Sequence, residues 1–245
     1  MSFCRSSRPS SAKLWSADVP GVLCGLGSVA ATAVGVILAV ATGMASAADL
    51  EVTVHDLSDE PLEDAVVYAE PVGASLAPSR EVAHVKIDQV NKEFVPLVTV
   101  VRTHTEINFP NSDDFRHSIY SFSQPKIFTT KLYSGKQAPP VLFDKPGLVV
   151  LGCNIHDMMA AWVVVVDTPY FTKTAAGGKG LLKGLEPGDY RVSVWYPGPQ
   201  FTPGTSQVRV AADGNSHFAV AVDSSASPLP ALRARAAAGT GKARH

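Results

Sequence analysis

The chain has 245 residues, of which 46% are hydrophobic and 18% charged. That balance supports a sizeable buried core and excludes a disordered polymer. The formal charge of −1 hides an acidic body, because residues 48–223 carry 14 Lys and Arg against 21 Asp and Glu; such a body excludes a nucleic-acid binder working through a basic surface.

At the start, Arg5, Arg8 and Lys13 precede an apolar stretch over residues 22–40, and Ala45-Ser46-Ala47 follows. The first 47 residues are therefore expected to be a signal peptide, cleaved before Ala48 and exporting the chain to the periplasm. The alternative is an uncleaved membrane anchor, since the apolar run nearly reaches the length of a bilayer span. Cleavage leaves Cys153 as the one cysteine, and Met158 and Met159 as the only methionines. In an oxidising compartment a lone thiol can form no internal disulfide and is a liability unless buried or committed to a ligand.

Residues 50–55 alternate apolar and polar side chains as a half-buried strand does, and residues 65–68 form a second β-rich run. Between them, residues 56–62 make a turn of Asp, Glu and Pro, and residues 71–80 read as a linker. The β signal strengthens at residues 84–90, 94–101 and 105–109, the last running into the Pro110-Asn111 breaker. Residues 118–122 and 127–133 alternate again, 141–143 form a short strand and Lys145-Pro146-Gly147 a turn. Residues 148–153 and 162–166 are continuous apolar runs, as in strands buried on both faces of a sandwich. Further strands are expected at 191–195, 208–210 and 218–222. Short strands at this spacing predict an all-β sandwich. Phe115, Tyr120 and Phe122 are expected in the core. No capped helical period follows residue 47, and residues 223–245, with Arg233, Arg235, Lys242 and Arg244 among Ala, Pro, Ser and Gly, are expected to be a disordered basic tail. Phosphate-binding glycine loops, Gly-x-Ser-x-Gly and His-Glu-x-x-His are absent from the sequence.

The chemistry concentrates in Leu148-Val-Val-Leu-Gly-Cys153-Asn-Ile-His156-Asp-Met-Met159. A thiol, an imidazole and two thioethers are donors that suit copper, and two His, one Cys and a weak axial Met make the blue-copper pattern. The second histidine must come from elsewhere, and His117 is the candidate. The alternatives are a buried thiol beside a structural imidazole for Cys153 and His156, core packing for Met159, and an ordinary loop residue for His117.

Phe109-x-Asn111-x5-His117 and Cys153-x-x-His156-x-x-Met159 resemble the cupredoxins, copper electron-transfer proteins such as plastocyanin and amicyanin. The resemblance implies a cupredoxin-like Greek-key β-sandwich over residues 84–169. It also implies His117, Cys153, His156 and Met159 as copper ligands, and Asn111 as an outer residue steadying the thiolate loop. Two departures stand out: Asp157 supplies a carboxylate after the second histidine, and Ser118 replaces an amide that usually follows the first. Val54-x-Asp56-x4-Pro61-Leu62-x-Asp64-Ala65-Val66-Val67 and Leu182-x-x-Leu185-x-Pro187-Gly188-x-Tyr190-x-Val192-x-Val194 resemble the carboxypeptidase-regulatory-like, or transthyretin-like, sandwich. Residues 48–83 and 170–222 are thus expected to form a second, smaller β module. His117-Ser-Ile-Tyr-Ser-Phe-Ser, Phe143-Asp-Lys-Pro-Gly and Gly152-Cys-Asn-Ile-His-Asp also resemble a periplasmic group labelled methylamine utilization protein. Together these imply an exported one-electron carrier rather than an enzyme, serving a redox protein such as a cytochrome c or a quinoprotein dehydrogenase. The rival expectation is a non-redox module that stores copper or binds a partner or envelope component.

Overall fold

A computed structural model of the chain describes residues 47–78, 81–134, 138–198, 203–212, 214 and 216–240. The expected signal peptide, up to residue 46, and the last five residues lie outside this range. In chain order the strands are β1 (Ala48–Asp56), β2 (Val66–Pro71), β3 (Ala83–Lys86), β4 (Asp88–Val90), β5 (Glu93–Val95), β6 (Val98–Arg102), β7 (Thr105–Asn108), β8 (Ile119–Ser123) and β9 (Lys126–Thr129). They continue with β10 (Val141–Phe143), β11 (Gly147–Cys153), β12 (Ala160–Val166), β13 (Phe171–Lys173), β14 (Lys179–Leu185), β15 (Gly188–Trp195), β16 (Gly204–Val210) and β17 (Ser216–Val222), and a helix α1 (Leu229–Thr240) follows. Among the described residues no helix is long and apolar enough to cross a membrane.

The fold is an all-β sandwich with two hydrophobic cores. The sheets β14-β1-β17 and β13-β2-β15-β16 enclose one core, around Leu50, Val67, Val192 and Trp195. The five-stranded sheet β6-β12-β11-β8-β9 and the sheet β10-β7-β3 enclose the other, around Phe94, Phe109, Ile119, Phe143 and Leu151. Strand β12 belongs to both. Successive side chains of a strand point to opposite faces, so Trp162, Val164 and Val166 enter the first core while Ala161, Val163 and Val165 enter the second. Each valine removed from water contributes roughly 1.5–3 kcal/mol, which is why this strand reads as an unbroken apolar run. The same expectation fails for β11. Val149, Leu151 and Cys153 are buried, but Val150 on the other face is 40% exposed.

Residues 229–240 differ from the disordered tail that composition predicts, because they form α1. The Ser227 hydroxyl accepts the Leu229 N–H at 3.3 Å at the start of the helix, and the Pro228 carbonyl accepts the Leu232 N–H at 3.1 Å. Alanines 231, 234 and 236–238 lower the cost of the helix that follows. Leu229 is fully buried in the first core, and Arg233 pairs with Asp64 and Glu63 in the turn before β2. Composition alone cannot reveal such an anchor, since one leucine and one arginine supply it. Leu229→Ala should lower unfolding free energy by about 2–5 kcal/mol in urea titration; an undocked tail would leave the midpoint unchanged.

Candidate metal centre

The register between β8 and β11 builds the site. Gly152 pairs with Tyr120 and Cys153 with Ile119, so Cys153 and Ile119 share the core-facing side of the sheet. His117 lies two residues before Ile119, on that same side. It is held there by paired backbone bonds with Tyr133, at 3.0 and 2.9 Å. Gly152 lets the Tyr120 side chain lie across the strand, because a Cβ there would lie 2.5 Å from its ring and displace it. Past Cys153 the chain turns back through the Met159 N–H, which donates to the His156 carbonyl at 2.9 Å, and this brings His156 over the thiol.

Among the described residues, His117, Cys153 and His156 form one cluster of three possible ligands. Cys153 Sγ lies 3.6 Å from His117 Nδ1 and 3.8 Å from His156 Nδ1, and the two nitrogens are 3.2 Å apart. A circle through three atoms with those separations has a radius of about 2.1 Å, within the roughly 2.0–2.3 Å of metal–nitrogen and metal–sulfur bonds. The donor set therefore fits a single metal ion, and its two imidazoles and thiolate suit copper. His117 is fully buried and Cys153 nearly so, while His156 is half-buried. Burial, followed by the charges of His117 and Lys92, pushes His156 below the ordinary histidine value, against the opposing pull of Asp113 and Asp157. That shift favours the neutral imidazole a metal needs.

The remaining expected residues fall in different places. Met159 is 2% exposed and shares the core cluster of Cys153, whereas Met158 is 59% exposed. Asn111 steadies the first-histidine loop instead of the thiolate loop. Its amide donates to the Phe115 and Tyr133 carbonyls, both at 2.9 Å, and its Oδ1 accepts the Asp113 N–H at 3.0 Å. Asp157 is exposed and influences His156 by charge. The amide that Ser118 does not offer is supplied from the turn after β11, since Asn154 Nδ2 donates to the Ser118 hydroxyl at 2.9 Å. Phe115 and Phe122 are not core residues: they are 39% and 76% exposed. Phe115 instead covers both ligand rings, at 5.0 Å from His117 and 5.5 Å from His156.

Sequence reasoning missed Asp113. Its carboxylate is 7% exposed and lies 2.8 Å from His117 Nε2, and it also accepts the N–H groups of Asn91 at 2.6 Å and Lys92 at 3.0 Å. Asn91 and Lys92 both have positive φ, 55° and 63°, and form the two-residue turn between β4 and β5. The only hint in sequence is an acidic residue four places before the histidine. Tyr133 completes the floor. Its phenol donates to the Phe109 carbonyl at 2.8 Å, and burial pushes its pKa up to about 12, so the donor proton is retained.

The chain matches no family model and no curated protein. It is similar to solved structures over part of its length. These include the copper-containing nitrite reductase of Thermus scotoductus SA-01, at 25% identity over 40% of this chain and 26% of that one, with a TM-score of 0.33. A purple cupredoxin from Nitrosopumilus maritimus matches at 21% identity over 34% of this chain and 98% of its own, with a TM-score of 0.30. Pseudoazurin from Methylobacterium extorquens AM1 matches at 26% identity over 35% and 76%, also with a TM-score of 0.30. The chain thus spans about a quarter of the nitrite reductase's length.

Removing the Asn111 side chain takes away three hydrogen bonds at once. With each contributing about 0.5–1.5 kcal/mol, Asn111→Ala should destabilise the protein by roughly 2–4 kcal/mol in chemical denaturation. It should also speed hydrogen exchange at His117 and Tyr133 before β12. Uniform loss of protection would mean that Asn111 holds no local unit.

Proposed function

We propose that this chain is an exported copper protein that carries single electrons for a periplasmic redox partner and catalyses no reaction of its own. The observation that carries the reading is the triangle of His117 Nδ1, Cys153 Sγ and His156 Nδ1, closed to single-metal size on a β-sheet frame. Copper bound there supplies a one-electron change between its two common oxidation states. The chain's own contribution is to hold donors still and keep water away. Strand pairing fixes His117 and Cys153, the Asn154–Ser118 bond ties the two ligand segments together, and Met159 offers a thioether from the core side.

His156 is the half-buried ligand, and Phe115, Leu132, Ile155 and Met158 expose apolar surface in its segment and beside it, between 39% and 59%. Phe115, Leu132, Ile155 and His156 line one shallow surface together with Lys92 and Arg116. Such an apolar face around the accessible ligand suits brief docking of a redox protein, a cytochrome c or a quinoprotein dehydrogenase. In this reading the strands of residues 48–71 and 171–222 form the transthyretin-like module and support the copper unit. The likeness to the group labelled methylamine utilization protein runs over residues 94–171 and assigns no substrate.

Copper(II) titration of the purified protein should produce an intense visible thiolate-to-copper band. Cys153→Ala should abolish it, and His117→Ala or His156→Ala should weaken binding and alter the spectrum. Met159→Ala should keep the colour but shift the reduction potential, while Met158→Ala should change little. A wild-type protein that binds copper without the band, or a band that survives Cys153→Ala, contradicts the proposal.

A further inference from the structure

We infer that Asp113 is a positioning residue that fixes the ring tautomer of His117 and so decides which nitrogen is offered to the metal; this rests on reading His117 as a ligand. Three groups meet the Asp113 carboxylate: the Asn91 N–H at Oδ1, and the Lys92 N–H and His117 Nε2 at Oδ2. Two of these are backbone amides, which can only donate. Both oxygens are thus committed to donors, and the histidine nitrogen facing Oδ2 joins them as a third. The ring proton of His117 sits on Nε2, and the lone pair of Nδ1 is left facing Cys153 Sγ and His156 Nδ1.

The arrangement cannot easily reverse. His117 is fully buried and Phe115 stands against its ring, so a flipped imidazole has no solvent to supply a new partner for Nε2–H. Accepting the hydrogen bond from Nε2–H also raises the basicity of the opposite nitrogen, as outer carboxylates do for metal-bound histidines. A more basic imidazole stabilises copper(II) more than copper(I), so Asp113 lowers the reduction potential as well as holding the ring. His156 has no such partner among the hydrogen bonds described, and the two histidines are unequal: one is oriented from within, the other sits at the surface.

An amide can take over this role only by giving up one of the turn's bonds. In Asp113→Asn the NH₂ group must face either the Asn91 N–H or the pair formed by the Lys92 N–H and His117 Nε2. The first choice loses the Asn91 N–H bond, and the second loses the Lys92 N–H bond and pushes the ring proton to Nδ1. Two measurements test the inference, and the first needs neither metal nor variant. Long-range proton–nitrogen correlation on metal-free wild-type protein should show His117 protonated at Nε2; protonation at Nδ1 overturns the inference, whatever copper does. The second compares wild type with Asp113→Asn, in which the Nδ1–H form should gain population. Affinity for copper(II), and for redox-inert zinc(II), should fall about 10–100-fold. Copper(I) affinity should fall less, and each tenfold difference between the two copper states raises the potential by about 59 mV. Equal losses for both oxidation states with an unchanged tautomer would reduce Asp113 to packing and overturn the inference. Failure of wild-type protein to bind copper would sink the electron-carrier reading while leaving the tautomer result to stand or fall alone.

Discussion

A slip of one residue between two antiparallel strands turns every side chain to the other face, and the pairing of Cys153 with Ile119 is where that rule matters most in this chain. In the observed register Cys153, Ile119 and His117 face the core, while Tyr120 lies over Gly152 on the outer face. One residue out of register, the thiol would point to solvent and the histidine would lose it. Gly152 fits this register, since a Cβ there would displace the tyrosine ring that lies over it. Secondary-structure register, more than any single contact at the site, brings the donors together.

Around that register the protein invests in rigidity. The first-histidine loop is crossed by the Asn111 amide, floored by Tyr133 and buttressed by the β4–β5 turn through Asp113. The cysteine loop is tied back by Asn154. Donors held this firmly need little rearrangement when the charge at their centre changes, which is what fast one-electron exchange requires. Burial is graded to match: Cys153 and His117 are sealed, His156 is half-open, and the apolar residues around it are exposed.

Local spacing made much of this legible. The Cys153–His156–Met159 spacing placed a thiol and an imidazole on one short turn, and the structure turns Met159 inward and Met158 outward. His117 was found because an asparagine and a phenylalanine precede it at telling distances. What stayed hidden depends on contacts between distant segments. Asp113 gains its meaning from a turn 21 and 22 residues away, and nothing periodic marks it. Asn111 makes its hydrogen bonds within the first-histidine loop, because its residue type fits either loop and geometry decides. The exchange of amide and hydroxyl between Ser118 and Asn154 is invisible until the strands are side by side. Helix α1 was missed because composition measures average polarity, whereas Leu229 and Arg233 dock it individually.

X-ray absorption fine structure of the copper-loaded protein, recorded oxidised and reduced, addresses the central claim most directly. The account predicts one short sulfur and two imidazole nitrogens in both states, with little change between them. A copper shell of oxygen and nitrogen alone, or one that loses a histidine on reduction, would contradict it.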